Sequence, residues 1–575
     1  MSQSHQHKIL KIRMALFAVF LLSAFGIILY RLYILQIIKH TEYVKAAESQ
    51  YTAQAKLPAT RGEIRVTDRF SDGYYQIAVS VKRSLAFANP RAIVDSEQFA
   101  EILSPALGIP KTELVEKIKD KNRAYVPLKK RLTPDEEQRL RDLKVQGLGF
   151  DYEYVRVYPE KNFLSHVIGY VGYKEDERVG LYGIEKAFED DLRGVDGRIT
   201  DDSGGFWDLG GKKVVPAEDG VSLLLTIDKS IQYQAEKLLE ETVTSHEADS
   251  GSVVVLDPKT GRVLALAGFP DFDPNEYNKV TDLSVFSNQV TVGTYEPGSI
   301  MKPITMAASL NEGKITPDTT YTDTGVVKVD GFEIKNADKK SHGKKTMTQV
   351  LELSLNTGAI FAKEQLGNAL FYEYMKRFGF GRLTGIELPE NKGNIDNLSG
   401  NIKVNFDTAS FGQGITVTPL QMATAFTAIA SNGLMRKPYI VQAKIYADGR
   451  IEETRASEPI QVISPTTSRK VANMMLSVVE NGHGKKAKVA GYYLAGKTGT
   501  AQVPKANGKG YEENNNIGSF VGFAPFENPK FVMLVRINHP KDVTYAETTA
   551  APMFGQLAKF ILNYYNIPPT RDVKK

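Results

Sequence analysis

The segment GSVVVLDPKTGRVLALAGF, residues 251–269, decides the fold of the C-terminal half of the chain. Two apolar runs flank the turn-forming residues Asp-Pro-Lys-Thr-Gly, a pattern that predicts a β-hairpin. A second segment of the same kind, SFVGFAPFENPKFVMLVRIN, occupies residues 519–538, with its turn at 526–529. Paired strands at both ends of a region with helices between them predict an antiparallel sheet that the first and last segments complete.

Helical patterns lie between and after the hairpins, at residues 301–310, 346–366, 419–430, 465–480 and 556–564. The region before the first hairpin mixes strand and helix patterns with many charges. Its charged helices, at 112–119 and 133–143, each begin with a threonine, and the glycine-rich stretch 202–211 indicates a loop. We therefore predict an α+β multidomain protein, with a pedestal domain at 37–230 and a second domain at 231–575.

Composition excludes several kinds of chemistry. The 575 residues suggest about three to four domain-sized units. The chain has 72 Lys and Arg against 67 Asp and Glu, and its net charge of +5 is too small to predict a nucleic-acid partner. Because there is no cysteine, thiol catalysis, disulfides and iron–sulfur clusters are excluded. The 8 histidines form no HExxH pair, and we predict neither a metal nor a cofactor.

An uncharged run at residues 14–30, MALFAVFLLSAFGIILY, predicts a membrane anchor. The apolar character resumes after Arg31, so we place a transmembrane helix at 14–36 and a cytoplasmic tail at 1–13. Three basic residues before the run favour a cytoplasmic N-terminus, although Arg31 and Lys39 weaken the asymmetry. A cleaved signal peptide and a buried core helix are the alternatives, but no small-residue cleavage site follows the run. The prediction is a single-pass membrane protein whose bulk is extracytoplasmic.

Three short motifs follow the first hairpin: Ser299-Ile-Met-Lys302, Ser354-Leu-Asn356 and Lys497-Thr-Gly-Thr500. Each is weak alone, but their order and their place between two hairpins make the set specific. Ser299 and Lys302 are three residues apart at a predicted helix start, so they share one face. A serine hydroxyl needs a base, and without a histidine in a plausible motif a desolvated lysine must serve. Burial and a second lysine nearby would both lower its pKa.

The third motif lies in YYLAGKTGTAQV, residues 492–503, which has the pattern of an edge strand. We expect Lys497 to add positive charge beside the serine, and Gly499 to let a substrate backbone pair with the strand. The backbone N–H groups of Ser299 and Thr500 would together form an oxyanion hole.

The second motif supplies two polar groups, since a loop that turns Ser354 and Asn356 to one side offers a hydroxyl for proton relay and an amide for substrate hydrogen bonds. Each motif also has a purely structural interpretation. Ser299 could cap a helix, Lys302 could be a solvated surface lysine, the second motif could cap a helix, and residues 497–500 could form a turn.

The set of motifs in this order resembles that of penicillin-binding proteins and serine β-lactamases. Across nearly its whole length the chain looks like a class B penicillin-binding protein, a monofunctional peptidoglycan transpeptidase. The further segments that carry the resemblance are RGEIRVTDR (61–69), RVYPEKNFLSHVIGYVG (156–172), GLYGIEKAFEDDLRGVDG (180–197), DGVSLLLTIDKSIQ (219–232) and SFGQGITVTPLQMATAF (410–426). The first departs from the family pattern by two extra residues before Asp68.

The resemblance implies a transpeptidase domain at 231–575 that is built on a five-stranded antiparallel sheet flanked by helices, above an elongated pedestal. It implies two groups of functional residues: catalytic Ser299, Lys302, Ser354, Asn356 and Lys497, and substrate- or oxyanion-binding Thr498, Gly499 and Thr500. No metal and no cofactor is implied.

The implied reaction is acyl transfer on peptidoglycan stem peptides that end in D-Ala-D-Ala. Ser299 attacks the penultimate D-alanine carbonyl, the terminal D-alanine leaves, and an amine from a neighbouring stem resolves the acyl-enzyme; β-lactams acylate the same serine. The implied partners are the cell membrane, a polytopic glycosyltransferase and other division-complex proteins. The sequence YEPGS before the nucleophile, the SLN form of the second motif and the length favour the cell-division type over an elongation or sporulation role.

Several rival functions share these motifs. A β-lactamase needs a carboxylate that activates water, and Glu387 and Glu390 follow the second motif at a tempting distance, but GIELPEN has the pattern of a strand and turn. A D,D-carboxypeptidase and a catalytically dispensable scaffold of the division complex are further alternatives. A β-lactam receptor would need a cytoplasmic output domain, for which the tail at 1–13 is too short.

Overall fold

The structure is a computed structural model that describes residues 13–14, 16, 22–23, 25–39, 55–70, 73–175, 177–201, 212–400, 402–504, 510–543 and 545–571. The chain divides into two compact units. One contains the residues up to Ala59 together with Val195–Asp219, and the other contains Thr60–Gly194 together with Gly220–Lys575. The predicted loop at 202–211 lies outside the described residues.

The strands before residue 220 are β1 (Ala55–Leu57), β2 (Ile64–Thr67), β3 (Tyr75–Ala88), β4 (Val126–Leu132), β5 (Leu148–Val157), β6 (Val171–Lys174), β7 (Glu177–Gly180), β8 (Gly197–Asp201) and β9 (Lys212–Val215). The later strands are β10 (Ser222–Asp228), β11 (Ser250–Leu256), β12 (Val263–Phe269), β13 (Thr320–Asp323), β14 (Val326–Val329), β15 (Phe332–Lys335), β16 (Gly343–Thr346), β17 (Leu434–Met435), β18 (Val441–Ile445), β19 (Ile451–Glu453), β20 (Ile460–Gln461), β21 (Ala495–Pro504), β22 (Tyr511–Ala524) and β23 (Phe531–Asn538).

The α-helices are α1 (Ser96–Leu107), α2 (Lys111–Lys117), α3 (Pro134–Asp142), α4 (Ser165–Ile168), α5 (Gly183–Ala187), α6 (Glu189–Arg193), α7 (Lys229–Ser245), α8 (Lys302–Asn311), α9 (Met347–Glu352), α10 (Asn356–Leu366), α11 (Asn368–Arg377), α12 (Lys403–Ala409), α13 (Pro419–Ala430), α14 (Pro465–Asn481) and α15 (Ala550–Tyr564). Short 3₁₀ turns lie at Pro90–Ala92, Pro274–Lys279, Leu283–Phe286, Gly298–Met301, Asp396–Leu398 and Lys485–Ala487, and a π-helical turn at Ile34–Ile38.

The smaller unit contains a three-stranded sheet in the order β1–β8–β9. Its strands pair antiparallel, with Leu57 opposite Gly197 and Arg198 opposite Val215. An added Cβ on Gly197 would lie 2.4 Å from the carbonyl oxygen of Val215, so this position of the sheet needs glycine.

In the larger unit, a seven-stranded sheet has the order β19–β18–β10–β2–β3–β4, with β5 also paired to β3. The parallel pair β10–β2 brings Leu223 opposite Ile64, and β18 follows on the other side of β10. Strands from residues 64–157 and from 441–453 therefore share one sheet. The predicted domain boundary at 230/231 directly follows β10, and it stays a prediction.

A five-stranded antiparallel sheet forms the centre of the C-terminal part, in the order β12–β11–β23–β22–β21. Successive side chains of a strand point to opposite faces. Val253 and Val255 of β11 therefore join the apolar cluster that includes α7 and α15, while Val254 and Leu256 join the cluster that includes α8 and α13. Both faces of the sheet are buried, which explains the continuous apolar runs in the sequence. The prediction that the two hairpins form one antiparallel sheet is confirmed.

The single helix predicted at 346–366 is wrong. The chain forms two helices there, α9 and α10, separated where Ser354 adopts a left-handed backbone with φ of 56°. The interruption has a tertiary cause, because the Ser354 carbonyl accepts a hydrogen bond from the Lys302 Nζ instead of a helical N–H. Helical propensity alone could not reveal a contact between residues so far apart.

The two predicted threonine caps have different outcomes. Thr133 accepts a hydrogen bond from the Glu136 N–H in a capping box at the start of α3, as expected. Thr112 does not cap a helix, because α2 begins at Lys111 after Pro110 and the threonine lies within the first turn. Proline fixes its own φ and suits a helix start without a side-chain cap.

The anchor predicted at 14–36 lies partly outside the described residues and stays a prediction. Within the part of the chain that the structure describes, no helix combines the length and the apolar character needed to span a membrane.

Candidate active site

Ser299 lies in a 3₁₀ turn, Gly298–Met301, that runs directly into α8. Pro303 fits because it occupies the first turn of the helix, where its missing N–H has no partner to lose. Lys302 is fully buried, which contradicts its interpretation as a solvated lysine. Its Nζ lies 2.9 Å from the Ser299 Oγ. The turn therefore brings an amine into hydrogen-bond contact with the hydroxyl that the sequence predicts as nucleophile.

The left-handed backbone of Ser354 points its side chain at the same lysine. The Ser354 Oγ lies 3.2 Å from the Lys302 Nζ and 2.9 Å from the Lys497 Nζ. A non-glycine residue in this conformation is strained by roughly 1–3 kcal/mol, and such strain clusters at functional sites. The hydroxyl of Ser354 thus bridges two buried amines.

Lys497 lies on β21, which is the edge strand of the five-stranded sheet, as predicted. Its side chain is fully buried, and its Nζ donates a hydrogen bond of 3.0 Å to the carbonyl oxygen of Thr498. The Thr500 Oγ1 accepts a hydrogen bond from the Ala546 N–H at 3.2 Å. Within the described ranges, one side of this strand has no neighbouring strand, which is the arrangement that a peptide substrate needs for β-pairing.

Burial shifts both lysines toward the neutral amine. It lowers the pKa of Lys302 well below its usual value, and the positive charge of Lys497 lowers that pKa further. Burial lowers the pKa of Lys497 to about 7. A buried ammonium without a carboxylate partner is costly, and a second ammonium on the same hydroxyl adds repulsion. Lys302 can therefore be a neutral amine near pH 7, able to accept a proton from Ser299.

Asn356 stands apart from this cluster. It is the first residue of α10, and its Nδ2 donates a hydrogen bond of 2.9 Å to the carbonyl oxygen of Lys335, at the end of the β14–β15 hairpin. Of the residues predicted to be catalytic, the structure thus brings Ser299, Lys302, Ser354 and Lys497 into one network, while Asn356 is bound at its margin.

Three glycines allow the 3₁₀ turn Gly298–Met301, which we call the nucleophile turn, to pack closely against its neighbours. An added Cβ on Gly412 would lie 2.2 Å from the Gly298 carbonyl oxygen, and Gly298 itself has a φ of 58°. An added Cβ on Gly499 would lie 2.9 Å from Ile300 and 3.0 Å from the carbonyl oxygen of Pro297. Gly499 therefore makes room for the nucleophile turn, a role that the sequence did not reveal.

Glu296 is a further residue that sequence reasoning missed. Its carboxylate accepts hydrogen bonds from the Gly414 N–H at 2.9 Å and from the Tyr511 hydroxyl at 3.2 Å, and burial raises its pKa. The carboxylate thus fastens the segment before Ser299 to the loop after α12. The sequence held a signal for this contact, because it lies between YEPGS (295–299) and SFGQG (410–414), two segments already noted in the sequence.

Glu387 and Glu390, the carboxylates considered for a β-lactamase, are engaged in local hydrogen bonds. Glu387 accepts from the Ile440 N–H at 2.9 Å, and Glu390 accepts from the N–H groups of Thr384 and Gly385 at 2.8 and 2.7 Å. These contacts favour the structural interpretation of both residues. Among the described residues, no group of three or more histidine, aspartate or glutamate side chains could hold a metal ion.

Two family models match the chain. The model described as "Penicillin binding protein transpeptidase domain" matches residues 251–559, and the model described as "Penicillin-binding Protein dimerisation domain" matches residues 56–220. The first match contains all three motifs of the candidate site.

Individual proteins are similar over almost the whole chain. Stage V sporulation protein D of Bacillus subtilis is 32% identical over 570 residues, covering 95% of this chain and 86% of that protein. The peptidoglycan D,D-transpeptidase FtsI of Escherichia coli is 30% identical, covering 97% of this chain and 92% of that protein.

A solved structure agrees with these similarities. The crystal structure of penicillin-binding protein 3 from Mycobacterium tuberculosis, complexed with aztreonam, superposes with a TM-score of 0.70 at 25% identity and covers 90% of this chain and 99% of that one. The chain therefore belongs to the class B penicillin-binding proteins, which join a dimerisation domain to a transpeptidase domain.

Proposed function

We propose that this protein is a serine D,D-transpeptidase that cross-links peptidoglycan stem peptides. The observation that carries the proposal is the contact of 2.9 Å between the Ser299 Oγ and the Nζ of Lys302, a buried lysine whose pKa is strongly lowered. A neutral amine at hydrogen-bond distance from a hydroxyl is the arrangement that activates a serine for attack on a carbonyl.

The proposed reaction has two steps. Lys302 takes the Ser299 proton as the Oγ attacks the penultimate D-alanine carbonyl; an ester forms, the peptide bond breaks, and the terminal D-alanine leaves with the proton on its amine. An amine from a neighbouring stem then attacks the ester, a new peptide bond forms, and the serine regains its proton. The N–H groups of Ser299 and Thr500 would stabilise the oxyanion in both steps.

The remaining residues have roles in binding and proton transfer. We assign Ser354 as a proton relay because its hydroxyl contacts both lysines. Lys497 would bind the terminal carboxylate of the substrate, whose negative charge would raise the pKa of this lysine again and keep it charged. The Asn356 side chain would exchange its hydrogen bond to the Lys335 carbonyl for one to a carbonyl oxygen of a substrate amide. The backbone of Thr498 and Gly499 would pair with the substrate backbone.

We assign the protein to septal wall synthesis, in the membrane and with its bulk outside, together with a polytopic glycosyltransferase. The similarity to FtsI supports the septal role, as do the YEPGS and SLN forms of the motifs. The similarity to stage V sporulation protein D supports a second candidate role, the same chemistry during sporulation. Imaging a fluorescent fusion in growing and in sporulating cells separates the two roles.

The direct test of the function is a reconstituted cross-linking reaction. The full-length protein in detergent is incubated with glycan strands whose stems end in D-Ala-D-Ala, and the muropeptides are separated by mass spectrometry. We expect release of D-alanine and formation of cross-linked dimers, both blocked by penicillin. Release of D-alanine with trimmed stems and no dimers would instead identify a D,D-carboxypeptidase.

The pH dependence of acylation should report the lowered pKa of Lys302. Only the neutral amine of Lys302 accepts a proton, and the carboxylate of a bound drug keeps Lys497 charged. At saturating drug the acylation rate should therefore be level around neutral pH and fall as acid protonates Lys302. A lysine with its usual pKa of about 10.4 would instead give a rate that rises tenfold per pH unit through neutrality. Removing the neighbouring charge in Lys497→Met should raise the pKa of Lys302 and move the acid limb to higher pH. Stopped-flow acylation by a chromogenic cephalosporin measures both profiles, and an unmoved limb would contradict the coupling.

Gly412→Ala should slow acylation because the new Cβ would push against the Gly298 carbonyl oxygen and displace the nucleophile turn. A misplacement of about 1 Å can cost about 10²-fold in rate. Gly313→Ala is the matched control, since Gly313 also has a positive φ but has nothing within 4 Å of an added Cβ. Both variants should lose stability, but only Gly412→Ala should lose acylation. Equal acylation rates would show that the close packing is not needed.

A further inference from the structure

A cavity of about 170 Å³, which shares no lining residue with the candidate active site, lies between the end of α11, the helix α13 and the segment before β18. We call it the basic cavity. Its cationic lining residues are Lys376, Arg377, Arg382, Arg436 and Lys437. No carboxylate lines it. Five positive charges around one cavity repel each other, and a bound anion would offset that repulsion.

Among the described residues, most of these cations form no ion pair. Arg377 pairs with Glu373 on its own helix, and Arg436 donates a hydrogen bond to the backbone carbonyl of Ser457. Over the described part of the chain, Arg382 and Lys437 form no ion pair, and both are exposed. The cavity therefore presents two cations without an ion pair among the described residues, and one of them, Lys437, also interacts electrostatically with the Glu387 carboxyl.

The wall of the basic cavity is pre-formed. The Gln421 side chain at the start of α13 donates a hydrogen bond of 2.7 Å to the Arg382 carbonyl oxygen and one of 2.8 Å to that of Lys392. Thr424, one turn further along α13, also lines the cavity. It is more than nine-tenths buried, and its hydroxyl has no hydrogen-bond partner among the residues that the structure describes. An unsatisfied buried hydroxyl is costly, and a ligand that reaches it would relieve that cost.

Apolar side chains complete the lining. Leu383 is 59% exposed and Ile460 is 63% exposed, and they lie beside the buried Phe378 and Met435. Exposed apolar residues next to unpaired cations suit a ligand that carries both characters. An inorganic phosphate or a lipid headgroup would use the cations and leave the apolar wall in water, whereas an acidic peptide with an apolar side chain would use both.

We propose that the basic cavity binds an acidic peptide segment of a partner protein. Carboxylates of the segment contact Arg382 and Lys437, and an adjacent apolar side chain packs on Leu383 and Ile460. A cavity of about 170 Å³ is smaller than the roughly 300–1,000 Å³ of sites that enclose a whole small-molecule ligand, so the peptide backbone would lie across its mouth. The proposal concerns partner recruitment and does not depend on the acyl-transfer function proposed above.

The test uses the full-length protein in detergent and two pools of fluorescein-labelled heptapeptides. In one pool Asp or Glu alternates with Leu, Ile or Phe, and in the other Asn or Gln replaces the acids. Fluorescence anisotropy should show binding of the acidic pool only, weakened about tenfold or more by the double variant Arg382→Ala/Lys437→Ala, because hydrogen bonds to charged groups are the strong ones. The binding should also weaken as salt screens the charges.

The matched control is Lys485→Ala/Lys486→Ala, which removes the same charge from an exposed turn outside the cavity. It should bind the acidic pool as the wild type does, and penicillin labelling of all three proteins should be equal. Equal binding of both double variants, or of both pools, would overturn the proposal. Binding of inorganic phosphate or phosphatidylglycerol vesicles that depends on Arg382 and Lys437, without binding of the acidic pool, would overturn it in favour of a phosphate-group site.

Discussion

Ser299→Ala should abolish covalent labelling by a fluorescent penicillin and cross-linking of stem peptides. The Ser299 hydroxyl lies on the nucleophile turn at 2.9 Å from the Lys302 Nζ, closer than the Ser354 hydroxyl at 3.2 Å, so we expect it to form the ester. The fold should persist, because the substitution removes one half-buried oxygen from a turn held by backbone contacts. Gel fluorescence after incubation with the dye measures the labelling, and a thermal melt measures the fold.

Ser354→Ala is the informative companion variant. Its hydroxyl contacts both lysines but does not become the ester, so labelling should slow without disappearing. A general acid–base relay is worth about 10²–10⁴-fold in rate. Complete loss in Ser354→Ala together with residual labelling in Ser299→Ala would exchange the two roles and contradict the account.

Lys302→Arg should reduce acylation by about 10²–10⁴-fold, the usual contribution of a general base. Arginine stays protonated in the working pH range and cannot take the serine proton. Lys497→Arg should retain more activity, since the role assigned to Lys497 is to hold a charge beside the substrate carboxylate. The rate constant for acylation by a chromogenic cephalosporin measures both effects.

Because Lys302 is fully buried, the larger guanidinium could also disturb packing. Lys302→Met keeps the length of the side chain without the amine and serves as the control for that effect. Both Lys302 variants should be equally slow if the loss is chemical. A fast Lys302→Met variant, or equal losses in Lys302→Arg and Lys497→Arg, would count against the division of roles.

The sheet could be predicted from the sequence because its strands are local hairpins with continuous apolar runs. Residues 251–269 and 519–538 carry both their strands and their turns within one short segment. The edge position of β21 was also predictable, because the apolar pattern and the glycines of residues 492–503 were enough to indicate an edge strand. The break between α9 and α10 was not, because its cause is a hydrogen bond from Lys302 to the Ser354 carbonyl across more than fifty residues.

The site could be predicted in its residue types but not in its geometry. The spacing of Ser299 and Lys302 places both on one face of a turn, whereas the burial that lowers the lysine pKa depends on packing from distant segments. The same limit applies to Gly412 against Gly298, and to Asn356, whose present partner is a backbone carbonyl of another hairpin. The basic cavity collects its cations from two segments that are more than fifty residues apart, so no local sequence pattern predicts it.

The most direct test of the central claim is a mass-spectrometric time course of the β-lactam adduct. The wild-type protein is acylated with penicillin, freed of excess drug, and digested at intervals. We expect an intact penicilloyl group on the peptide that contains Ser299, still present after many minutes to hours, because local hydrogen bonds give Glu387 and Glu390 structural roles. An adduct on any other residue would contradict the assignment of the nucleophile, and rapid loss of the adduct that Glu387→Gln or Glu390→Gln prevents would identify a β-lactamase instead of a transpeptidase.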